Sequence, residues 1–199
     1  MKKYIVIALI IAASFTVMAQ TNVWKVNWDM NAPARQSSDF INKFSVRGVS
    51  IDASWFLNDN FALGGTVGWG LFYEKTDKIT EVLEGGNITF TGPQQKYLNF
   101  IPLLFNGEYY FGSSDHIRPY LGVGLGAAWV ENVKNAVLYQ IYDKNWMFAL
   151  APEVGVIIPL VNNLNFHVKA KCLQGLWSDG DNLQTFTISV GFAFTSYKF

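Results

Sequence analysis

The sequence predicts an all-β fold, an eight-stranded antiparallel up-and-down transmembrane β-barrel. Three observations predict it. Eight segments alternate apolar with small or polar residues at a period of two, the side-chain period of a strand. The connections between them run long, short, long, short, as an even-stranded barrel requires when both chain ends lie on the same side of a membrane. The composition is 50% hydrophobic and 16% aromatic but only 15% charged, well below the roughly 25% charge usual in soluble domains.

The chain opens on "MKKYIVIALIIAASFTVMAQ". Lys2 and Lys3 precede an apolar run from Tyr4 to about Ile11, and small residues lead to Val17 and Ala19. This is the pattern of a secretory signal peptide over 1–19, cleaved after Ala19, with 20–199 as the barrel domain. A retained anchor fits less well, because the apolar run is short and ends in small residues. Losing Lys2 and Lys3 leaves a slightly acidic chain, which gives no basis for nucleic-acid binding. Cys172 is the only cysteine, so no intramolecular disulfide framework staples the exported chain. It also lies far from the cleavage point, where a lipoprotein needs its cysteine. Beyond the leader the most apolar stretch, "WMFALAPEVGVIIPLV", is interrupted by Pro152, Glu153 and Pro159, so no helical membrane span is predicted.

The strands follow in order. "VWKVNWDM" sets Trp24, Val26, Trp28 and Met30 against Lys25, Asn27 and Asp29. The second, near 46–57, sets Val49, Ile51, Ala53 and Trp55 against Ser50, Asp52 and Ser54. The third, 61–74, opposes Leu63, Val67, Trp69 and Leu71 to Ala62, Gly64, Thr66, Gly68 and Gly70. The fourth, 95–111, opposes Ile101, Leu103, Phe105 and Tyr109 to Asn106, Glu108 and Tyr110. In the fifth, 118–130, Leu121, Val123, Leu125 and Trp129 alternate with Tyr120 and three glycines. The sixth, 143–158, alternates Trp146, Phe148, Leu150, Val154 and Val156 with Ala149, Ala151, Glu153 and Gly155. The seventh, 164–173, alternates Leu164, Phe166, Val168, Ala170 and Cys172 with Asn165, His167, Lys169 and Lys171. "TISVGFAF" at 187–194 carries the eighth, with Ile188, Val190, Phe192 and Phe194 on one face.

The predicted connections are 31–45, 58–60, 75–94, 112–117, 131–142, 159–163 and 174–183. The long ones are polar and form the outer loops. Within 75–94, "ITEVLEGGNITFTG" suggests a hairpin turning near Gly85 and Gly86. The polar faces carry Asp52, Glu108, Glu153, Lys169 and many glycines, a poor hydrophobic core but a suitable narrow lumen. The opposite faces are nearly all apolar, with Trp24, Trp55, Tyr109, Trp129, Trp146 and Phe194 near strand ends, where a membrane barrel places its aromatic girdles. A soluble lipocalin-like barrel requires the apolar face inside.

The stretches "DFINKFSVRGVSIDASWFLNDNFALGGTVGWG", "IRPYLGVGLGA", "FALAPEVGVIIPL" and the terminal strand resemble the small eight-stranded outer-membrane β-barrels related to OmpA, OmpX and OmpW, most closely their Bacteroidota form. The likeness extends over essentially the whole mature chain. It implies an outer-membrane location, lipids as surroundings, and insertion by the barrel-assembly machinery, which reads a terminal aromatic residue. Phe194 closes the apolar ladder, but "TSYKF" follows and Phe199 has the opposite parity, so both remain candidates for that signal.

Eight strands leave a bore that side chains fill. Lys25, Lys169 and Lys171 face it together with Asp29, Asp52, Glu108 and Glu153, a set of both signs and approximate balance. If the turn after the sixth strand centres near Val161, Glu153 and Lys169 lie directly opposite. They then read either as an ion gate or as a structural plug. Only His116 and His167 are available as catalytic bases. Neither has a serine two residues away on its own face, so no hydrolytic site is predicted. No His/Cys cluster offers a metal site, no cofactor is expected, and Cys172 reads as a small apolar residue on the lipid face. Two functions remain. One is a structural or interaction protein, serving envelope integrity or adhesion through external loops whose partner is unnamed. The other is a narrow pore, or an OmpW-like conduit for small hydrophobic molecules.

Overall fold

The structure is a computed structural model that describes residues 21–34, 36–82, 89–113, 116–136, 140–176 and 183–197. The signal-peptide reading of 1–19, and Phe199, fall outside the described residues. The elements are β1 (Thr21–Pro33), a five-residue helix α1 (Gln36–Phe40), β2 (Gly48–Phe56), β3 (Phe61–Val82), β4 (Thr89–Tyr110), β5 (Arg118–Ala136), β6 (Gln140–Val161), β7 (Leu164–Leu176) and β8 (Gln184–Tyr197). Each strand pairs antiparallel with the next, and β1 closes on β8 from Thr21↔Tyr197 to Pro33↔Thr185. Closure leaves no strand edge with unpaired backbone groups, the condition for placing strands in hydrocarbon.

The alternation read from the sequence sorts the side chains as a membrane requires. Along β1, Val23, Lys25, Asn27 and Asp29 are buried while Trp24, Val26 and Trp28 are exposed. The same inversion recurs around the barrel, with Ile51, Val67, Phe105, Leu121, Val154 and Ile188 exposed and Asp52, Thr66, Glu108, Glu153 and Ser189 buried. An outer surface this apolar around a polar interior is a lipid-facing surface. Several aromatics of the outer face mark two levels, with Phe105 midway between them. Trp24 meets Trp55 edge-on at 6.4 Å, and Tyr109 meets Phe111 at 5.0 Å, at the short-turn end. Trp129 and Trp146 are paired residues further along the barrel. Trp129 is eight residue steps along β5 from Leu121, which pairs with Tyr109, about 27 Å along the strand and so about the height of a membrane apolar band once the strand tilts.

Two expectations are corrected. The stretch 131–142, expected as an outer loop, is mostly strand, and in 75–94 the strands run on into the hairpin that the sequence suggested. β3 and β4 stay paired to Val82↔Thr89, with an irregularity between Thr76 and Ile79, and β5 and β6 stay paired to Asn135↔Gln140. Backbone pairing carries these extensions, and residue types such as Ile79, Thr80, Thr89 and Thr91 favour a sheet. A span needs only about 9–11 residues, so β3, β4 and β6, at 22 residues each, stand well clear of the membrane at the long-loop end. Gly85 and Gly86, expected at the hairpin turn, lie outside the described residues.

The second correction concerns register. The β6–β7 turn is Asn162–Asn163, with Asn162 at φ 50°, a left-handed conformation that Asn tolerates better than most residues. A register shift between Pro159 and Val161 accompanies it. The turn therefore centres one residue later than expected. Glu153 pairs with Lys171, and Gly155, not Glu153, lies opposite Lys169.

Candidate functional site

The barrel interior is built in three tiers. At the short-turn end Val23, Phe56, Ala62, Tyr110, Tyr120, Ile157 and Ala193 form an apolar layer. Phe56 and Tyr110 pack at 4.9 Å, as do Tyr110 and Tyr120. Arg118 stacks over the Phe56 and Tyr110 rings at 5.0 and 4.9 Å and donates to the Asp59 carbonyl. At the long-loop end Phe72, Leu98, Phe100, Leu104, Val130, Met147, Leu173 and Leu183 form a second apolar layer. Ile41, just past α1, is fully buried in it, and Phe40 packs against it.

The first connection reaches this position by being laced across the mouth. Asn31 and Ser45 exchange backbone hydrogen bonds of 2.7 and 2.8 Å. The Ser37 hydroxyl accepts from the Gln184 amide at 2.8 Å, Lys96 Nζ donates to the Phe40 carbonyl at 3.1 Å, and the Asn42 amide donates to Glu74 Oε2 at 3.3 Å. The alternation gave no sign of this lid. The inward apolar layer did leave one: "LNFIPLLF" at 98–105 is apolar on both parities.

The charged tier lies between these layers. Lys25 Nζ bonds both Glu108 oxygens, at 2.7 and 2.9 Å, and lies 4.7 Å from the Tyr120 ring centroid, a cation–π contact. Glu108 also accepts from Ser54 at 2.8 Å and Tyr110 at 2.6 Å. Asp52 accepts from Lys169 at 2.7 Å, Asn27 at 2.8 Å and Thr66 at 2.6 Å. Glu153 Oε2 is 3.5 Å from Lys169 Nζ. Asp29 accepts from Ser50 at 3.1 Å. Both lysines of these pairs are fully buried. Such groups persist in a confined space only because nearly every lone pair is engaged.

His167 belongs to the same network, and its tautomer follows from its partners. Asn27 donates through Nδ2 to Asp52, so its Oδ1, 2.7 Å from His167 Nδ1, is the acceptor. Nδ1 therefore carries the proton, and Nε2 accepts from the Tyr120 hydroxyl at 2.9 Å. A neutral ring with both nitrogens occupied neither adds charge to the tier nor offers a free base.

The structure thus brings Asp52, Glu108, Glu153, Lys169 and Lys171 to one buried tier and adds Asn27, Ser54, Thr66, Asn106, Tyr110 and Tyr120. Inward parity placed these polar partners on the lumen side; which of them bond was not legible. Trp24, Trp55, Tyr109 and Trp146 are exposed on the outer face, and Trp129, of the same parity, is half-buried. Phe194 pairs with Trp24 and Leu164 and is not the end of β8, which continues to Tyr197. Cys172 lies on the outer parity of β7, half-buried, within 3.9 Å of Gln184 Nε2.

No family model and no curated protein sequence matches the chain. Solved structures do. The outer membrane protein OprG from Pseudomonas aeruginosa is similar at a TM-score of 0.56 and 10% identity, over 90% of this chain and 97% of that one. Ail, the attachment invasion locus protein of Yersinia pestis, crystallised with the heparin analogue sucrose octasulfate, gives 0.55 and 9%, over 88% and 98%. The N-terminal β-barrel domain of Pseudomonas aeruginosa OprF gives 0.50 and 14%, over 88% and 97%. At these identities the likeness is one of fold, and the fold is that of the small eight-stranded outer-membrane β-barrels.

Proposed function

We propose that the protein is a closed outer-membrane barrel whose lumen side chains form a plug. Its work is done outside the membrane by the strand extensions and loops of the long-loop end, as a structural or interaction protein in envelope integrity or adhesion. One observation carries this reading: a buried charged tier, held by the Lys25–Glu108 and Lys169–Asp52 ion pairs, lies between two apolar layers. The same network occupies both nitrogens of His167, which supports a non-catalytic role.

Single-channel recording in planar bilayers tests the plug. The wild type is expected to stay closed. Lys169→Met, which removes the cation bonded to Asp52, is expected to be leaky or less stable, and Asp52→Asn added to it should restore part of the loss. Steady wild-type current, unchanged in each variant, overturns the plug and promotes the narrow pore or hydrophobic conduit. Topology has its own test, in a Cys172→Ala background. Cysteines at Gly85 or Asp179 are expected to react with an impermeant reagent on intact cells, and one at Asp59 is not. Equal reaction at all three inverts the assignment of the two ends.

A further inference from the structure

Besides Ser189 Oγ on β8, two oxygens of the charged tier are left without a partner by its own hydrogen bonds, and both lie against β5. The first is Glu153 Oε1, on a side chain 3% exposed. The second is Asn106 Oδ1, on a residue 2% exposed. The identity of the second as an oxygen follows from the network. Thr66 has a single hydroxyl proton, and it goes to Asp52 Oδ1 at 2.6 Å. Thr66 Oγ1 must then accept from Asn106, at 2.5 Å, through the amide nitrogen. That leaves the amide oxygen turned into the lumen.

Both oxygens lie against one strand wall. A Cβ built on Gly124 would fall 2.6 Å from Asn106 Oδ1, and one built on Gly122 would fall 3.2 Å from Glu153 Oε1. Gly122 and Gly124 are consecutive inward positions of β5, and their missing side chains let the Glu153 carboxylate and the Asn106 amide lie close against that strand. Charge points the same way. Among the described residues the tier holds three ammonium groups, Lys25, Lys169 and Lys171, against four carboxylates, Asp29, Asp52, Glu108 and Glu153. His167 is neutral, and Arg118 stands beyond the Phe56–Tyr110 layer. Glu108 and Asp52 each bond on both oxygens. Asp29 is held by Ser50 and Glu153 has one long cationic contact, and of these two carboxylates Glu153 is the one with a partnerless oxygen.

We propose that the lumen binds one small alkali cation between Glu153 Oε1 and Asn106 Oδ1, over Gly122 and Gly124. Two hard oxygens, one of them charged, suit such an ion. A single charge cancels the single excess carboxylate, whereas a divalent ion would overshoot, and calcium draws on six to eight oxygens. No group of three His, Cys, Asp or Glu among the described residues offers a transition-metal site. A bridging water would satisfy both acceptors but leave the charge in place.

The charge balance rests on the closed-lumen reading, but the two partnerless oxygens do not, so the tests separate. Because the ion is enclosed, the protein is refolded in potassium acetate or in choline acetate at equal ionic strength, then unfolded with urea. Potassium at ten times its half-saturating concentration is expected to multiply the folding equilibrium constant about elevenfold over choline. Glu153→Gln should abolish the difference, and Gly124→Ala, which crowds Asn106 Oδ1, should move half-saturation to higher potassium. A wild type indifferent to potassium overturns the site in favour of a water or a proton. Crystals of the wild type grown in thallium(I) acetate serve where a variant fails to fold. An anomalous peak between the two oxygens supports the site even if the barrel conducts, and no peak there overturns it.

Discussion

Lys25→Met is expected to lower the unfolding free energy by about 3–5 kcal/mol, the usual cost of leaving a buried charge without its partner. Lys25 and Glu108 are 0% and 1% exposed and joined by two bonds under 3 Å. Removing the ammonium strands a carboxylate between Tyr110, Tyr120 and Ser54, where no solvent reaches it. The double variant Lys25→Met, Glu108→Gln should be less destabilised than the single one. The amide carries no charge and still accepts from Ser54 and Tyr110, so the desolvation penalty largely disappears while the packing stays. Urea unfolding in detergent micelles, followed by tryptophan fluorescence, measures both. A double variant as unstable as the single would mean that packing of the lysine stem, not charge, dominates this position.

Gly191→Val is expected to abolish the closed barrel. Gly191 pairs with Asn27 in the β1–β8 seam. A Cβ there would meet the Val26 carbonyl oxygen at 2.0 Å and the Asn27 Cα at 2.8 Å. Both are backbone atoms of the partner strand, so no side chain can swing away to make room. The seam joins the first and last strands, and without it the sheet has two open edges and no viable state in hydrocarbon. The readout is electrophoretic. The wild type should migrate differently before and after boiling, and Gly191→Val should show only the heated mobility. Ile188→Val, on the lipid face of the same strand, should keep both forms. A heat-modifiable Gly191→Val barrel would show that the two strands can separate locally without loss of closure.

The sequence by itself determined the fold class, the number of strands, which residues face inward and which meet lipid, and the residues of the charged tier. The reason is that strand parity is strictly local: one residue's side fixes the side of every other residue in its strand. A membrane barrel displays that parity twice, as an apolar outside and a polar inside, so Lys25, Asp52, Glu108, Glu153, Lys169 and Lys171 were all assigned inward from alternation. The tertiary structure alone decided who bonds whom. Lys25 and Glu108 are 83 residues apart and Lys169 and Asp52 117 apart, and contacts across a bore depend on shear and register, which no local pattern encodes. One turn shows how little is needed. Asn162 in a left-handed conformation and a register shift beside it gave Glu153 Lys171 as its pairing neighbour in place of Lys169. The lid was equally hidden, because Phe40 and Ile41 lie in a polar connection, and only when α1 folds across the mouth does Ile41 become buried with Phe72, Leu98 and Leu173 and Phe40 pack against them. Burial of that kind is a property of the closed barrel as a whole, and exists only once β1 has met β8.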